Sequence, residues 1–517
     1  MNRLYLALPV FLPIFCGCVL LAFRDRFSGK REERLMNLGV EGLVVFNSLM
    51  IFMILAKLYG EDGGETMQFT LFRLFGNLTV MFKLDRMGSV FAGLIAFLWP
   101  LATLYAFEYM KDEPRRPAFF AYYTMTYGVT AGIAFSGSLI TLYLFYELLT
   151  LVTFPLVLHP LSREAAHASR KYLYYSLGGA AFAFLGLVLV LGFSATGNTE
   201  FLAGGMLNLE TAGAYKNVLL TFYVLAFFGF GVKAALFPCH GWLPKATVAP
   251  TPVTALLHAV AVVKSGAFAI LRLTYFSFGT GFLRGTWAQW AVMAAALFTI
   301  LYGSTMAVRE VHWKRRLAYS TISNLSYILF GAAIMSSLGL AAALCHMTAH
   351  AFMKICGFFC AGAVMHQTGK THIYELDGLG RRMPVTFACL TVSSFSLMGI
   401  PLFAGFISKW NLCQAAFAYA GQAVSAGVSG GWIPYMGVAV ILYSALMTSV
   451  YMLTVLVRAY FPKDGEFNPL VRAGREFRDP GWKMLLPLII FAAVILAIGL
   501  HSAPFMRLFL SIGGEAG

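Results

Sequence analysis

Charge is scarce in this sequence. Asp, Glu, Lys and Arg together make up 12% of its 517 residues, against roughly 25% in a typical soluble chain. That shortage excludes a cytosolic globule, a disordered chain and a nucleic-acid reader. Cysteine pairing is absent as well: none of Cys16, Cys18, Cys239, Cys345, Cys356, Cys360, Cys389 and Cys413 forms a CxxC. Most sit in apolar runs, so they read as packing residues, and neither an iron–sulfur cluster nor zinc is expected. No motif for NADH, flavin or quinone chemistry is present either. The chain is expected to carry no cofactor and no metal, and any electron transfer belongs elsewhere.

What the sequence has is hydrophobicity, 59% of residues, gathered in runs near the twenty residues that a helix needs to cross a bilayer. An outer-membrane barrel would instead alternate apolar and polar residues over segments of about ten. The fold class is therefore an all-α polytopic membrane protein. Fourteen spans are predicted, near 3–23, 35–57, 84–107, 118–136, 138–158, 170–195, 217–238, 250–275, 287–308, 316–336, 338–365, 383–412, 432–461 and 483–505. The first run resembles a signal peptide but lacks a small-x-small cleavage site, so it counts as a span. The longest loops fall near 58–83, 196–216, 413–431 and 462–482.

The net charge of +15 reports topology. With the N-terminus outside, most Lys and Arg fall in loops assigned to the inside, including Arg24, Arg26, Lys30, Arg31 and Arg34 and the group Arg309, Lys314, Arg315 and Arg316. The positive-inside rule then places both termini on the outer side of a prokaryotic plasma membrane, with acidic lipid as neighbour.

Some charged and polar residues interrupt the spans. Glu147 lies in YLFYELLTL, Lys233 in FFGFGVKAALFP, and His258 and Lys264 in LLHAVAVVKSG. His346, His350 and Lys354 lie in LCHMTAHAFMKICG, and Lys409 in AGFISKW. Arg272 stands at a span end, where a snorkelling side chain is expected. Left in lipid, four lysines and a glutamate would cost on the order of 12–18 kcal/mol. They are expected to face a hydrated interior and to form a path. Metal cations want several oxygen ligands, and only Glu147 is a deep carboxylate, so the path suits protons. A carboxylate beside a buried lysine favours its charged form; moving the carboxylate away lets burial drive the proton off. His346, His350 and Lys354, at i, i+4 and i+8, share one helix face and read as a proton relay rather than a zinc site. His258 and Lys264 are six apart and share a path only if their helix is irregular.

Two spans carry helix breakers. Pro238, Pro244, Pro250 and Pro252 follow Lys233, and Gly399, Pro401 and Gly405 precede Lys409. Broken helices at corresponding places in two halves point to inverted repeats with binding at the breaks.

At these residues the chain resembles the antiporter-like subunits of respiratory complex I, of Mrp-type sodium/proton antiporters and of energy-converting membrane-bound hydrogenases. The stretches concerned are FPCHGWLPKATVAPTPVTALLHAVAVVKSGAFAILR at 237–272, KRRLAYSTISNLSYI at 314–328, HMTAHAFMKICGFFCAGAVMH at 346–366 and GIPLFAGFISKW at 399–410. The resemblance implies fourteen helices with two inverted five-helix repeats. The division is an N-terminal three-helix region 1–117, repeats 118–275 (spans 4–8) and 287–461 (spans 9–13), and a loop with helix 14 at 462–517. It implies that Glu147 pairs with Lys233, and that protons pass by Lys264, His258, His346, His350 and Lys354 to Lys409, with helix breaks at Pro238 and Pro401. Partners would be other integral membrane subunits, homologous antiporter-like ones or small hydrophobic ones, with a neighbouring redox module driving release. An Mrp-type complex exchanging Na+ for protons without redox partners is the alternative. Residues 506–517 follow the last span, too few for the long lateral helix of the largest complex I members.

Overall fold

Long apolar runs leave the backbone no partner but itself, and every one of the fourteen runs contains helix. The computed structural model describes residues 3–27, 29–60, 67–462 and 478–516. Its helices of eight residues or more are α1 Leu8–Ala22, α2 Lys30–Leu58, α3 Arg86–Tyr109, α4 Arg116–Ala134, α5 Leu139–Leu158, α6 Arg163–Gly192, α7 Lys216–Gly231, α8 Thr251–Ala259, α9 Val262–Arg272, α10 Trp287–Arg309, α11 Trp313–Ile334, α12 Ser337–Thr368, α13 Pro384–Met398, α14 Ala404–Ser425, α15 Ile433–Tyr460, α16 Trp482–Leu500 and α17 Ala503–Ala516. Several starts are written in the sequence. Asp85, Ser138, Ser162 and Ser336 each accept a hydrogen bond from an amide in the first turn of α3, α5, α6 and α12, which satisfies one of the orphan donors there. By length and composition, ten helices among the described residues can cross a membrane. This is an integral, multi-pass, all-α membrane protein.

Burial is greatest at the centre of the bundle. α11, α12 and the α8–α9 stretch are buried almost along their whole length, whereas α2, α6, α15 and α16 expose more than half of their most apolar window. The most buried helices therefore carry the polar side chains singled out above, and the outer ones expose apolar side chains.

Four expectations need correction. The loop expected at 58–83 contains an antiparallel hairpin, β1 Met67–Phe75 and β2 Leu78–Leu84. Its Phe-, Leu-, Thr- and Val-rich strands and the Gly76–Asn77 turn are strand and turn chemistry in a run too polar to read as a span. Strand β2 lies against the α4–α5 corner, where the amide of Lys83 donates to the Phe135 carbonyl and that of Met81 to Thr141 Oγ1. The loop expected at 413–431 is largely helix, because α14 runs on to Ser425; its Ala-rich composition favours helix although its hydropathy is low. The span expected at 250–275 is not one helix but two, α8 and α9, broken at Val260–Ala261. Arg272 does not snorkel. It is fully buried and gripped by Asp85. Of the loop expected at 462–482, residues 463–477 lie outside the described residues.

Candidate proton-transfer site

The break after α7 positions Lys233. Helix α7 stops at Gly231, and residues 232–242 run in turns to the short helix Leu243–Ala246. The carbonyls released there are met by protein groups: Tyr146 Oη donates to the Phe230 carbonyl at 3.1 Å, the Leu236 amide to Gly231 at 2.9 Å, and Trp242 Nε1 to Val232 at 2.8 Å. Lys233 is fully buried. Its ammonium donates to the Tyr146 carbonyl, lies 3.3 Å from the centre of the Tyr146 ring and stands 3.9 Å from Glu147 Oε1. The sequence neighbours Tyr146 and Glu147 thus hold one cation from α5, by backbone, ring face and carboxylate together. Gly266 lets α9 press against this break: a Cβ there would come within 2.6 Å of the Ala234 amide and 3.0 Å of Lys233 Cβ.

The second break lies between His258 and Lys264. The amides of Val260 and Ala261 both donate to the Leu256 carbonyl, at 3.0 and 2.8 Å. This irregularity is the condition under which two residues six apart can serve one path. Lys264 Nζ lies 2.5 Å from Nδ1 of His350 on α12, both fully buried. His258 packs its ring 4.8 Å from Phe358, and neither of its ring nitrogens has a hydrogen-bond partner.

On α12, the His346 and His350 rings lie nearly parallel with centroids 5.8 Å apart, as their i, i+4 spacing requires. His346 Nδ1 is 2.9 Å from Ser408 Oγ on α14, next in sequence to Lys409. Lys354 turns to other helices: its ammonium donates to Ser320 Oγ at 2.6 Å and to the Leu317 carbonyl at 3.2 Å, both on α11. Ser320 in turn meets Tyr451 Oη of α15 at 2.5 Å.

The third break falls between α13 and α14. Gly399 takes the left-handed conformation (φ +89°) that ends α13, a position that favours glycine. The Lys409 ammonium reaches back to the carbonyls of Leu397 and Met398, at 2.6 and 3.2 Å. It also lies 5.8 Å from the Tyr327 ring centre.

Side chains from α5, α8, α9, α11, α12 and α14 and from the break after α7 thus form three separate groups of contacts within the bundle. Direct hydrogen bonds or ion pairs join Glu147 to Lys233, Lys264 to His350, and His346 to the residue before Lys409. They do not join the Lys233 pair to Lys264, nor Lys354 to either neighbour in the expected order. Sequence reasoning missed the intervening polar groups: Tyr146, Ser320, Tyr327 and Ser408. It also missed Lys314, which is buried and donates to the Ala249 carbonyl at 3.0 Å. The hydroxyl-rich run YSTISNLSY at 319–327 was the available signal. Among the described residues, no three His, Cys, Asp or Glu groups gather as metal ligands.

Residues 136–434 match the family described as "NADH:quinone oxidoreductase/Mrp antiporter, TM", and residues 75–120 the "NADH-Ubiquinone oxidoreductase (complex I), chain 5 N-terminus". The chain is 31% identical over 419 residues to NADH-quinone oxidoreductase subunit N of Desulforudis audaxviator, covering 79% of each. It is 36% identical over 337 residues to a probable K(+)/H(+) antiporter subunit of Rhizobium meliloti, covering 64% of this chain and 32% of that one. It is 28% identical to F(420)H(2) dehydrogenase subunit L of Methanosarcina mazei, covering 80% and 63%. The chain therefore spans only part of the latter two proteins. Its fold matches a chain of the archaeal membrane-bound sulfane sulfur reductase with a TM-score of 0.81 at 24% identity, and a chain of the Dietzia Mrp complex with 0.80 at 21%. In both cases 99% of this chain and 97% of the other are covered. At those identities the likeness concerns the fold alone.

Proposed function

Because this chain belongs to the membrane-subunit family shared by NADH:quinone oxidoreductases and Mrp antiporters, we propose that it is a proton-translocating, antiporter-like subunit of a multisubunit membrane complex. Glu147 and Lys233 form the gate, Lys264, His258, His350, His346 and Lys354 carry the proton across the centre, and Lys409 holds it at the far end. The observation that carries this reading is the contact between Lys264 Nζ and His350 Nδ1 at 2.5 Å. A hydrogen bond between two buried nitrogens needs a proton on one and a lone pair on the other, which suits this pair to passing a proton. In the direction the path implies, the ammonium of Lys264 gives its proton to Nδ1, leaving a neutral amine beside an imidazolium. Waters are required between Lys233 and Lys264 and between Lys354 and its neighbours, and the unpartnered ring nitrogens of His258, His346 and His350 are where such waters would bind.

Halves 118–275 and 287–461 act as two inverted repeats, each supplying one lysine at a break. Inner-side loops carry the excess of Lys and Arg, the membrane is the plasma membrane, and both termini lie on the outer side. A neighbouring redox module moves Glu147 relative to Lys233 and so sets the lysine's charge. The test is the intact complex in proteoliposomes, with proton movement read by a pH dye and electron transfer measured in parallel. Glu147→Gln and Lys264→Met are expected to reduce proton movement while assembly persists. Normal proton movement in both would sink the reading. The alternative, an Mrp-type Na+/H+ exchanger, is favoured by the antiporter relatives; proton flux that requires Na+ and no electron donor would establish it.

A further inference from the structure

The central path leaves the carboxyl of Glu41 unused. Glu41 lies on α2, outside both repeats, and its Oε2 is buried with no hydrogen-bond partner. The rest of the Glu41 side chain is half-buried. It belongs to a polar stripe on a lipid-side helix: Glu33, Asn37, Glu41 and Ser48, at spacings of four, four and seven that keep one face, with Asn47 at the edge of that stripe. The stripe starts at a cleft of about 580 Å³, lined by Glu33, Met36, Lys111, Glu113 and Arg116 among others. There Arg116 of α4 pairs with Glu33 and donates to Asn37 Oδ1 at 3.1 Å. Glu41 is roughly 12 Å further along the axis. Beyond it, Ser48 Oγ meets Tyr127 Oη at 2.7 Å and Asn47 Nδ2 donates to the Pro9 carbonyl at 3.2 Å. Tyr123 Oη, Asn47 Oδ1 and Trp99 Nε1 are fully buried and unpartnered. The groups facing this stretch are thus Arg116, Tyr123 and Tyr127 of α4, the indole of Trp99 on α3, and a backbone carbonyl of α1.

We propose that Glu41 is a second proton-exchanging site, separate from the central chain and reached from the Glu33–Arg116 cleft along the facing sides of α2 and α4. A carboxylate in apolar surroundings without a counter-charge takes up a proton. The proton comes from water in the cleft and returns the same way, so Glu41 alternates between carboxyl and carboxylate with no other reactant. A metal cation would need several converging oxygens, and Asn47 and Ser48 stand about two turns away from Glu41.

The test is labelling of the intact complex with dicyclohexylcarbodiimide, which reacts with protonated carboxyls in apolar sites. The carboxyl oxygen adds to the carbodiimide carbon and the acid proton moves to its nitrogen. Peptide mass spectrometry is expected to find the adduct on Glu41, decreasing as pH rises, unchanged by Na+, and lost in Glu41→Gln. Deuterium exchange of the Glu41 carboxyl, read as the infrared carbonyl band missing in Glu41→Gln, is expected to slow in Asn37→Leu. No adduct at any pH, or exchange untouched by Asn37→Leu, would overturn the proposal. So would protection by Na+, which marks a cation site, or labelling confined to the separated subunit, which marks a partner's basic side chain over Glu41.

Discussion

The ammonium nitrogen of Lys409 lies 2.6 Å from the carbonyl oxygen of Leu397, in the last turn of the half-helix that precedes its own. One side chain therefore does two jobs: it satisfies carbonyls that α13 leaves open, and it places a proton-carrying nitrogen at the negative end of the helix dipole. The break creates the lysine's site, and the lysine stabilises the break.

Substitution separates these jobs. Lys409→Met is expected to cost about 1 kcal/mol of stability from the lost helix-end interaction and to stop proton transfer. Lys409→Arg keeps a cation on the same carbonyls but cannot release a proton. It should restore most of the melting temperature and none of the proton movement. Proteoliposomes and thermal unfolding of the intact complex check both.

Lys264 and His350 are in direct contact across α9 and α12, Nζ to Nδ1 at 2.5 Å. His350→Leu and Lys264→Met are each expected to slow proton movement by on the order of 10²-fold, the lower range for a positioned proton-transfer group. The double variant should be no slower than either single one, because both remove one shared step. Additive losses would mean that the two residues serve separate routes.

Asp85 and Arg272 form the buried latch between the hairpin and the core. Arg272 Nη1 and Nη2 reach Asp85 at 2.5 and 2.6 Å, and Phe201, Phe268 and Phe276 lie within about 5 Å of the guanidinium. Asp85→Ala strands a buried cation and is expected to cost about 3–5 kcal/mol. Arg272→Met should cost less, since Asp85 is partly exposed and keeps the Gly88 amide at 2.7 Å. Chemical unfolding of Asp85→Leu with Arg272→Met together should show less loss than Asp85→Ala alone.

Outside the membrane, His312 introduces a pH dependence. It stands at the N-cap position of α11 without a capping hydrogen bond, its Nδ1 buried and unpartnered. Burial first, then the charges of Arg315 and Lys314 and the nearby His372, push it down from 6.5 to about 4. The unfolded chain then binds the extra proton between about pH 6.5 and 4, so stability rises with pH through that window and falls as pH drops through it. Glu375 works in the same direction, held below its ordinary value by the His372 amide. Protection of the amides around 310–313 and 371–375, measured against their intrinsic exchange rates, is expected to fall as pH drops, and His312→Gln should flatten the change.

The two proline-containing breaks were legible because proline and glycine act on their own backbone. The break at Val260–Ala261 was not. HAVAVVK contains no proline and no glycine, so its irregularity depends on what packs around it, including the Lys264–His350 contact. The same limit applied to Arg272, which stands at a span end by sequence while its partner lies 187 residues away. Lys354 was placed correctly on one face with His346 and His350, but its hydrogen bonds go to Ser320 and Leu317, which helix periodicity does not reveal.

The sequence by itself determined the class of this protein, the apolar runs that become helices, which ionisable side chains enter the membrane, and the residues at which proline and glycine interrupt helices. Each of these follows from local hydropathy or backbone chemistry within one span. The tertiary structure decided which buried groups meet: Lys233 with Glu147 and Tyr146, Lys264 with His350, Lys409 with the end of α13, Arg272 with Asp85. Those pairings depend on how helices far apart in the chain approach one another. In a medium that offers no competing water, a buried polar group takes its partner from whichever helix packs against it.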